Sequence, residues 1–242
     1  MSSHEALADK PNVVHSIGEE FTGPLHFVKF WLDTVREWEA KTGKHATIAL
    51  STTRDVQDAV MADKRYADVV DIIDIEQWYY HNKGLYAPEG GVNMAPRQYA
   101  RKIKSGSARF EDVYRGVSEY REAYPDKAVV YYAQKYPEMA WAVLMAGGSC
   151  PAIHVDDAGF LESVATMNPR KDVKGVYVMD NDRNDMLIYA EGLSAKVSIP
   201  AISGVYEISK IDKKSGDVKL VSKKTVLKDS YLLDGKGIFW LR

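Results

Sequence analysis

The sequence predicts an α/β fold in which strand–helix units over residues 1–168 precede a small antiparallel β-sandwich over residues 169–242. Three observations support this prediction. Apolar runs alternate with segments of helical periodicity in the first part. Several of these runs are almost continuously apolar, as in sheets that are covered on both faces. After Asn168 and Pro169 the rhythm changes to short alternating runs separated by turn residues.

Repeated βα units define the first part. Its predicted strands are residues 12–17, 46–50, 69–75, 128–133 and 151–155. Its predicted helices are residues 25–41, 55–62, 110–123, 137–146 and 160–167. The first helix is expected to bury one face, formed by Leu25, Val28, Trp31, Leu32, Val35 and Trp38, and to end at Gly43. Such units imply parallel strands, which leaves a doubly wound sheet and a barrel as the open alternatives.

The tail consists of short strands. They are predicted at residues 175–179, 185–189, 196–199, 205–211, 218–221 and 237–241. Seven lysines fall between Lys210 and Lys228. We interpret them as a solvated outer face and edge, with a site for a polyanion as the alternative.

Composition excludes few functions. The chain has 242 residues, and 32 Lys and Arg stand against 34 Asp and Glu, a net charge of −2. The net charge of the chain therefore produces no electrostatic field that would attract it to nucleic acid or to an anionic membrane. Residues 1–10 form neither a signal peptide nor a membrane span, so an exported parent would need sequence upstream. The single cysteine, Cys150, is predicted to be an inert buried thiol.

Candidate site residues follow two of the predicted strands. Glu19 and Glu20 come directly after the first strand, where charge is costly to bury without a purpose. Asp74 and Glu76 end the third strand. An aromatic cluster comes next, made of Trp78, Tyr79, Tyr80 and His81, with Tyr86 further along. Carboxylates beside aromatic rings suit sugars, whose C–H faces stack on rings while acids bind the hydroxyls.

Structural explanations of these residues remain open alternatives. An exposed loop or a helix N-terminus would also account for Glu19 and Glu20. Trp78 and Tyr79 could belong to the core, and Asp74 could cap a helix or line a barrel wall. The connection over residues 77–95 favours function, because connections of that length are usually functional.

The segment Pro11 to Glu20 resembles the fourth-strand signature of retaining (β/α)8 glycoside hydrolases, in which a strand ends in Gly-Asn-Glu and the Glu is the acid/base. Glu20 takes the position of that Glu, and Glu19 stands where the family has Asn. The whole chain is similar to the C-terminal half of glycoside hydrolases from polysaccharide-degrading gut bacteria. The resemblance implies an incomplete (β/α)8 barrel, roughly strands four to eight, and a periplasmic or extracellular location.

The tail carries the same resemblance. A closing β-sandwich in such enzymes has a Tyr-rich strand, an Asp-x-x-Ser/Thr-Gly turn and a final Trp strand. The matching residues are Tyr206, Asp212 to Gly216, and Trp240.

The second carboxylate departs from this pattern. Related retaining enzymes carry a nucleophilic Glu at the end of the seventh strand, but the run over residues 128–133 leads into Gln134, and an amide cannot attack. Glu138, which follows on a helix, is a poor substitute. Glu76 is the favoured partner of Glu20, with Asp74 as the alternative. The separation of the two carboxylates would distinguish retention from inversion.

No cofactor is implied. The histidines show no metal-binding spacing, and the glycine pairs lack the context of a phosphate loop. The expected partner is a carbohydrate, without nucleic acid or membrane. A first strand a dozen residues from Met1 leaves no room for three earlier βα units, so we expect a homo-oligomer or a separate N-terminal barrel half. A non-catalytic carbohydrate-binding or structural module and a pure interaction protein are the competing functions.

Overall fold

The computed structural model describes residues 7, 10, 12–21, 23–75, 79–81, 84–86, 109–131, 137–190, 196–197, 203–228, 231–232 and 236–242. The chain divides into two units. The first contains residues 1–133 and 148–151, and the second contains residues 134–147 and 152–242. Helices α5 (Pro137–Met145) and α6 (Ala158–Val164) therefore group with the tail, whereas the sequence-based boundary was placed after residue 168.

The first unit is an α/β unit. Its strands are β1 (His15–Phe21), β2 (Ile48–Thr52), β3 (Ile72–Asp74), β4 (Tyr79–His81), β5 (Gly84–Tyr86) and β6 (Ala128–Val130). Its helices are α1 (Leu25–Thr42), α2 (Arg54–Met61), α3 (Lys64–Ala67) and α4 (Phe110–Ala123). Strands β1, β2, β3 and β6 form a parallel sheet in that order, and β4 pairs with β5 as a hairpin. The predicted α/β class of the first part is confirmed.

Helix periodicity explains which faces are buried. On α1, Val28, Leu32 and Val35 are buried at helical spacing, and the helix ends at Gly43, whose φ of 67° is left-handed. All five residues of β2 are buried, as expected for a central strand between helix layers. The core of this unit therefore lies against β2 and its neighbours.

The second unit contains a six-stranded antiparallel sheet. Its elements after α5 and α6 are β7 (Asn168–Arg170), β8 (Tyr177–Asp180), β9 (Met186–Ala190), β10 (Lys196–Val197), β11 (Ser203–Ile211), β12 (Val218–Lys228), β13 (Tyr231–Leu232) and β14 (Gly237–Leu241). The order in the large sheet is β12-β11-β14-β9-β8-β7, and β10 pairs with β13. The predicted antiparallel β-structure of the tail is confirmed.

Aromatic side chains join helices α5 and α6 to this sheet. The ring of Phe160 on α6 lies 6.3 Å from that of Trp141 on α5 and 5.6 Å from that of Trp240 on β14. The indole Nε1 of Trp240 donates to the Ser163 hydroxyl at 3.2 Å. The Trp141 indole donates to the Lys213 carbonyl at 3.1 Å. Both buried indoles are thus satisfied, as buried polar atoms require.

Three expectations were wrong. Residues 151–155 form no strand, although the structure describes all of them. Cys150 is exposed and has a φ of 49°, because it lies in the bend after α5 and not in a core strand. Trp31, which was expected on the buried face of α1, is 44% exposed because it lies one residue before buried Leu32.

Aromatic rings are exposed along α1. Phe27, Phe30 and Trp31 are 45%, 61% and 44% exposed, and the ring of Trp31 contacts both of the others. Apolar clusters at a surface favour association. We expect Phe30→Ser with Trp31→Ser to reduce self-association at micromolar concentration, measured by light scattering.

A matched control lies in the second unit. Val205 and Val221 are exposed to 62% and 61%, so Val205→Ser with Val221→Ser removes exposed apolar surface elsewhere. A wild-type chain that stays monomeric, or a control pair that abolishes association equally, would contradict this expectation.

His45 joins α1 to the amino ends of the strands. Its Nδ1 lies 2.7 Å from Glu39 Oε1, and its Nε2 lies 3.3 Å from Asp71 Oδ1. Partial burial lowers the pKa of His45, but the hydrogen bond to Glu39 and the charges of Asp71 and Glu39 outweigh it and raise the pKa above 6.5. The same carboxylates accept from the backbone N–H groups of Ala46 and Ile48.

A histidine with a raised pKa stabilises the fold at low pH. Its contribution is complete below the unfolded pKa of 6.5 and is lost as the pH rises through the folded pKa. We expect His45→Gln to lower the melting temperature more at pH 5.5 than at pH 8.5. The effect corresponds to at most about 1 kcal/mol, since the imidazole is largely exposed. His26→Gln, which changes an exposed histidine of the same helix, is the control variant.

Candidate functional site

Strand β1 ends in a bulge. Ile17 pairs with Leu50 of β2 and Phe21 pairs with Thr52, so the chain advances four residues along β1 but only two along β2. Gly18 has a φ of 80°, which L-residues with a side chain adopt at a cost of about 1–2 kcal/mol. Bulges are over-represented at sheet edges, at the rims of barrels and next to active sites, and they change the direction of a side chain. Strand β1 is an edge strand of the described parallel sheet.

Glu19 and Glu20, two of the predicted site carboxylates, lie inside this bulge. Their backbone positions are at the carboxyl end of a parallel strand. Ligand sites of open α/β sheets and of barrels lie at that end. The candidate site is therefore the carboxyl edge of the parallel sheet.

The register brings a third carboxylate to the same edge. Phe21, next to Glu20, pairs with Thr52 of β2, and Ile73, next to Asp74, pairs with Leu50 of the same strand. Neighbouring strands are about 4.8 Å apart, so β1 and β3, which flank β2, are about 10 Å apart. Asp74 is half-buried, and Glu76, two residues further on, lies outside the described residues.

Buried polar residues support this edge. Thr52, Thr53 and Gln57 are each at most 1% exposed and lie where β2 passes into α2. The Gln57 amide donates to the backbone carbonyl of Asp74 at 3.4 Å, and the Thr52 hydroxyl donates to the Gln57 side-chain oxygen at 3.4 Å. This network holds the end of β3 to α2. The sequence analysis did not predict this network, although Ser51, Thr52 and Thr53, which directly follow the apolar run over residues 46–50, were a signal.

The predicted aromatic cluster falls on the β4–β5 hairpin. Tyr79 pairs with Tyr86, and Tyr80 pairs with Leu85. His81 pairs with Gly84 at the end of the hairpin. The structure describes the backbone of these residues, whereas Trp78 lies outside the described residues. The hairpin thus brings Tyr79 and Tyr86 together across two strands.

Residues 1–167 match the family model of a domain of unknown function, DUF6298. The chain belongs to the DUF6298 family. The matched residues include the whole parallel sheet and helices α5 and α6. No curated protein matches the chain.

Strand β6 is the last strand of the parallel sheet in this DUF6298 chain, and the described residues at its carboxyl end include no carboxylate. Strand β6 ends at Val130, and buried Tyr131 follows it. Gln134 lies outside the described residues. Glu138 lies on α5, which belongs to the second unit. Its expected position on the following helix is therefore confirmed.

Two features are absent from the described part of this DUF6298 chain. No three side chains of His, Cys, Asp or Glu come together there in a way that could hold a metal ion. None of the helices described is both long enough and apolar enough to cross a membrane.

Proposed function

We propose that this DUF6298 chain is a glycoside hydrolase-like protein that acts on O-glycosidic bonds of a polysaccharide or oligosaccharide. Glu20 is its acid/base. The observation that carries the proposal is the position of Glu20 in a bulge that begins at left-handed Gly18, at the carboxyl end of a parallel strand. Glu19 and Asp74, at the same edge, would bind sugar hydroxyls.

The order of the strands supports a barrel as the parent fold. The four parallel strands follow one another in chain order, β1-β2-β3-β6, as successive strands of a (β/α)8 barrel do. A doubly wound sheet contains a reversal of strand order, and these four strands have none. On this proposal they are strands four to seven of the barrel, and the antiparallel sheet corresponds to the closing β-sandwich.

The chemistry requires a proton donor and a second carboxylate. Glu20 gives its proton to the leaving glycosidic oxygen as the bond from the anomeric carbon breaks, and water supplies the hydroxyl that replaces it. The proton that water loses passes back to Glu20 if configuration is retained and to the second carboxylate if it is inverted. Glu76 takes the second role, since it follows Asp74 at the end of β3. The aromatic residues Trp78, Tyr79, Tyr80, His81 and Tyr86 would line the sugar cleft.

A panel of plant and host polysaccharides tests the proposal. The full chain should release reducing ends from at least one of them, with products resolved by mass spectrometry. A folded chain that binds an oligosaccharide and cleaves none of the panel would contradict hydrolysis. A chain that neither binds nor cleaves any would contradict a role in carbohydrate recognition altogether.

A non-catalytic carbohydrate-binding module is the second candidate. The residue that favours it is Gln134, which stands where related retaining enzymes carry their nucleophile. Under this alternative the aromatic residues bind the sugar, but the chain lacks the two carboxylates that hydrolysis requires.

Both candidates predict that the aromatic rings bind sugar. Trp78→Ala with Tyr80→Ala should weaken oligosaccharide binding at least tenfold by calorimetry, because the stacking of the aromatic rings on sugar faces is lost. The melting temperature should change little. Phe30→Ala with Trp31→Ala removes two exposed rings from α1 and serves as the control. Lower thermal stability with unchanged affinity would assign Trp78 and Tyr80 to the core.

A further inference from the structure

A pocket opens at one end of the antiparallel sheet, within the second unit. It has a volume of about 630 Å³ and lies where β9 and β11 end and where β12 and β14 begin. The 212–217 turn between β11 and β12 forms part of its wall. Its volume falls in the range of about 300–1,000 Å³ that is typical of sites for small organic ligands.

Four lysines line this pocket: Lys210, Lys213, Lys219 and Lys236. Among the described residues, none of their ammonium groups forms an ion pair with a carboxylate. The Lys213 ammonium donates instead to the Tyr189 hydroxyl at 3.1 Å. The pocket thus concentrates positive charge that the described carboxylates leave unpaired.

The two aspartates of the pocket are engaged by their own turn. Asp212 Oδ1 accepts from the backbone N–H groups of Lys214 and Ser215 at 2.9 and 2.8 Å. These hydrogen bonds lower the pKa of Asp212, and the bond from the Ser215 backbone has the largest effect. Asp217 Oδ2 accepts from the Ser215 hydroxyl at 2.8 Å. With four ammonium groups against two carboxylates, two positive charges remain in excess.

The backbone register places two of the lysines against each other. Lys210 on β11 pairs directly with Lys219 on β12. Like charges directly opposite on neighbouring strands destabilise a sheet. Gly237 makes room for Lys210, since a Cβ there would lie 2.7 Å from Lys210 Cε. The Lys210 ammonium also lies 5.5 Å from the centre of the Phe239 ring. The two like charges therefore lie on neighbouring strands at the pocket, where a bound anion would offset their repulsion.

We propose that this pocket binds a small organic anion with two negative charges, an oligosaccharide that bears carboxylate or sulfate groups. The two excess positive charges of the pocket match two acidic groups on the ligand. The volume of the pocket is far larger than a bare inorganic ion needs. Lysine presents a compact point charge on a flexible stem and binds such groups without the fixed geometry that arginine imposes. That the anion is a sugar rests on the proposed function.

Calorimetry with defined probes tests the site. The probes are digalacturonate, a monosulfated heparin disaccharide with one carboxylate and one sulfate, neutral maltose and inorganic sulfate. We expect wild-type protein to bind at least one of the acidic disaccharides, at least tenfold more tightly than maltose or sulfate, and more weakly as salt increases. Lys210→Gln with Lys219→Gln should weaken this binding at least tenfold.

Stability measurements separate binding from folding. The Lys210→Gln, Lys219→Gln variant should melt at the same temperature as wild type or higher, because it relieves the repulsion between the paired lysines. Lys174→Gln with Lys223→Gln removes two exposed lysines outside the pocket and should leave affinity unchanged.

Several outcomes would overturn the proposal. No binding of any probe to wild type would overturn the site, as would an equal loss of affinity in the Lys174 and Lys223 control. Sulfate binding as tight as that of the acidic sugars would overturn the sugar assignment. Failure of glycoside hydrolysis is a separate result, since it is measured through Glu20 and changes none of these affinities.

Discussion

Glu20→Gln is expected to lower kcat/KM for an unactivated glycoside by about 10²–10⁴-fold, the range that general acid catalysis contributes. The amide keeps the size of the side chain but cannot supply a proton to the leaving oxygen. Because Glu20 lies in a bulge at the end of β1, we expect the melting temperature to stay close to that of wild type. Turnover is measured on an oligosaccharide that the wild-type chain cleaves.

Glu19→Gln is the matched control for this change. It makes the same replacement, a carboxylate by an amide, at the neighbouring residue of the same bulge. We expect it to raise KM more than it lowers kcat, since Glu19 would contact sugar hydroxyls. Near-normal turnover by Glu20→Gln, or an equal loss of kcat in both variants, would contradict the assignment of Glu20.

Gly216→Ala is expected to destabilise the second unit severely. Gly216 closes the β11–β12 turn with a φ of 79°, and a Cβ there would lie 1.8 Å from the His154 carbonyl oxygen and 2.5 Å from its carbon. Both atoms belong to the backbone, so no side chain can rotate away. We expect a loss of more than about 4 kcal/mol, which is exceptional for a single substitution.

Gly175→Ala separates the clash from the conformational strain. Gly175 has a φ of 85°, but a Cβ there would have no atom within 4 Å. Gly175→Ala should therefore cost only the strain of a positive φ for a residue with a side chain, about 1–2 kcal/mol. A loss of that size lowers the melting temperature by a few degrees in a domain of this size. Equal melting temperatures for the two variants in thermal unfolding would contradict the close approach of Gly216 to His154.

Periodic segments could be predicted from the sequence. Helix α4 was predicted over the residues it occupies, since its apolar residues recur at helical spacing, and Phe110, Val113 and Val117 are buried. Strand β14 also has its predicted bounds. In both elements a single local pattern determines which side chains are buried, so no distant partner had to be known.

Features that depend on a distant partner could not be predicted. Residues 151–155 are mostly apolar but form no strand, and within the second unit the backbone of His154 and Val155 lies against Gly216 of the 212–217 turn. The same holds for the bulge in β1, which exists only relative to β2. The pairing of Lys210 with Lys219 likewise follows from the register of β11 and β12 and not from composition.

The candidate site was predicted only in part. Adjacent carboxylates after an apolar run indicated the end of β1, and the structure places Glu19 and Glu20 in that strand. The buried contacts of Thr52 and Gln57 were not foreseen, because small polar residues after a strand usually indicate a turn or a helix cap. The role of Glu76 stays a prediction.

The central claim is that Glu20 protonates a leaving glycosidic oxygen. It is tested most directly by measuring how the loss of kcat/KM caused by Glu20→Gln depends on the leaving group of the substrate. Two aryl glycosides of the cleaved sugar would be compared, one with a phenol leaving group and one with a dinitrophenol. A dinitrophenolate departs without protonation. We predict a loss of kcat/KM of at least about 10²-fold on the phenyl glycoside and of less than about tenfold on the dinitrophenyl glycoside. Equal losses on both substrates, or no loss on either, would contradict the claim.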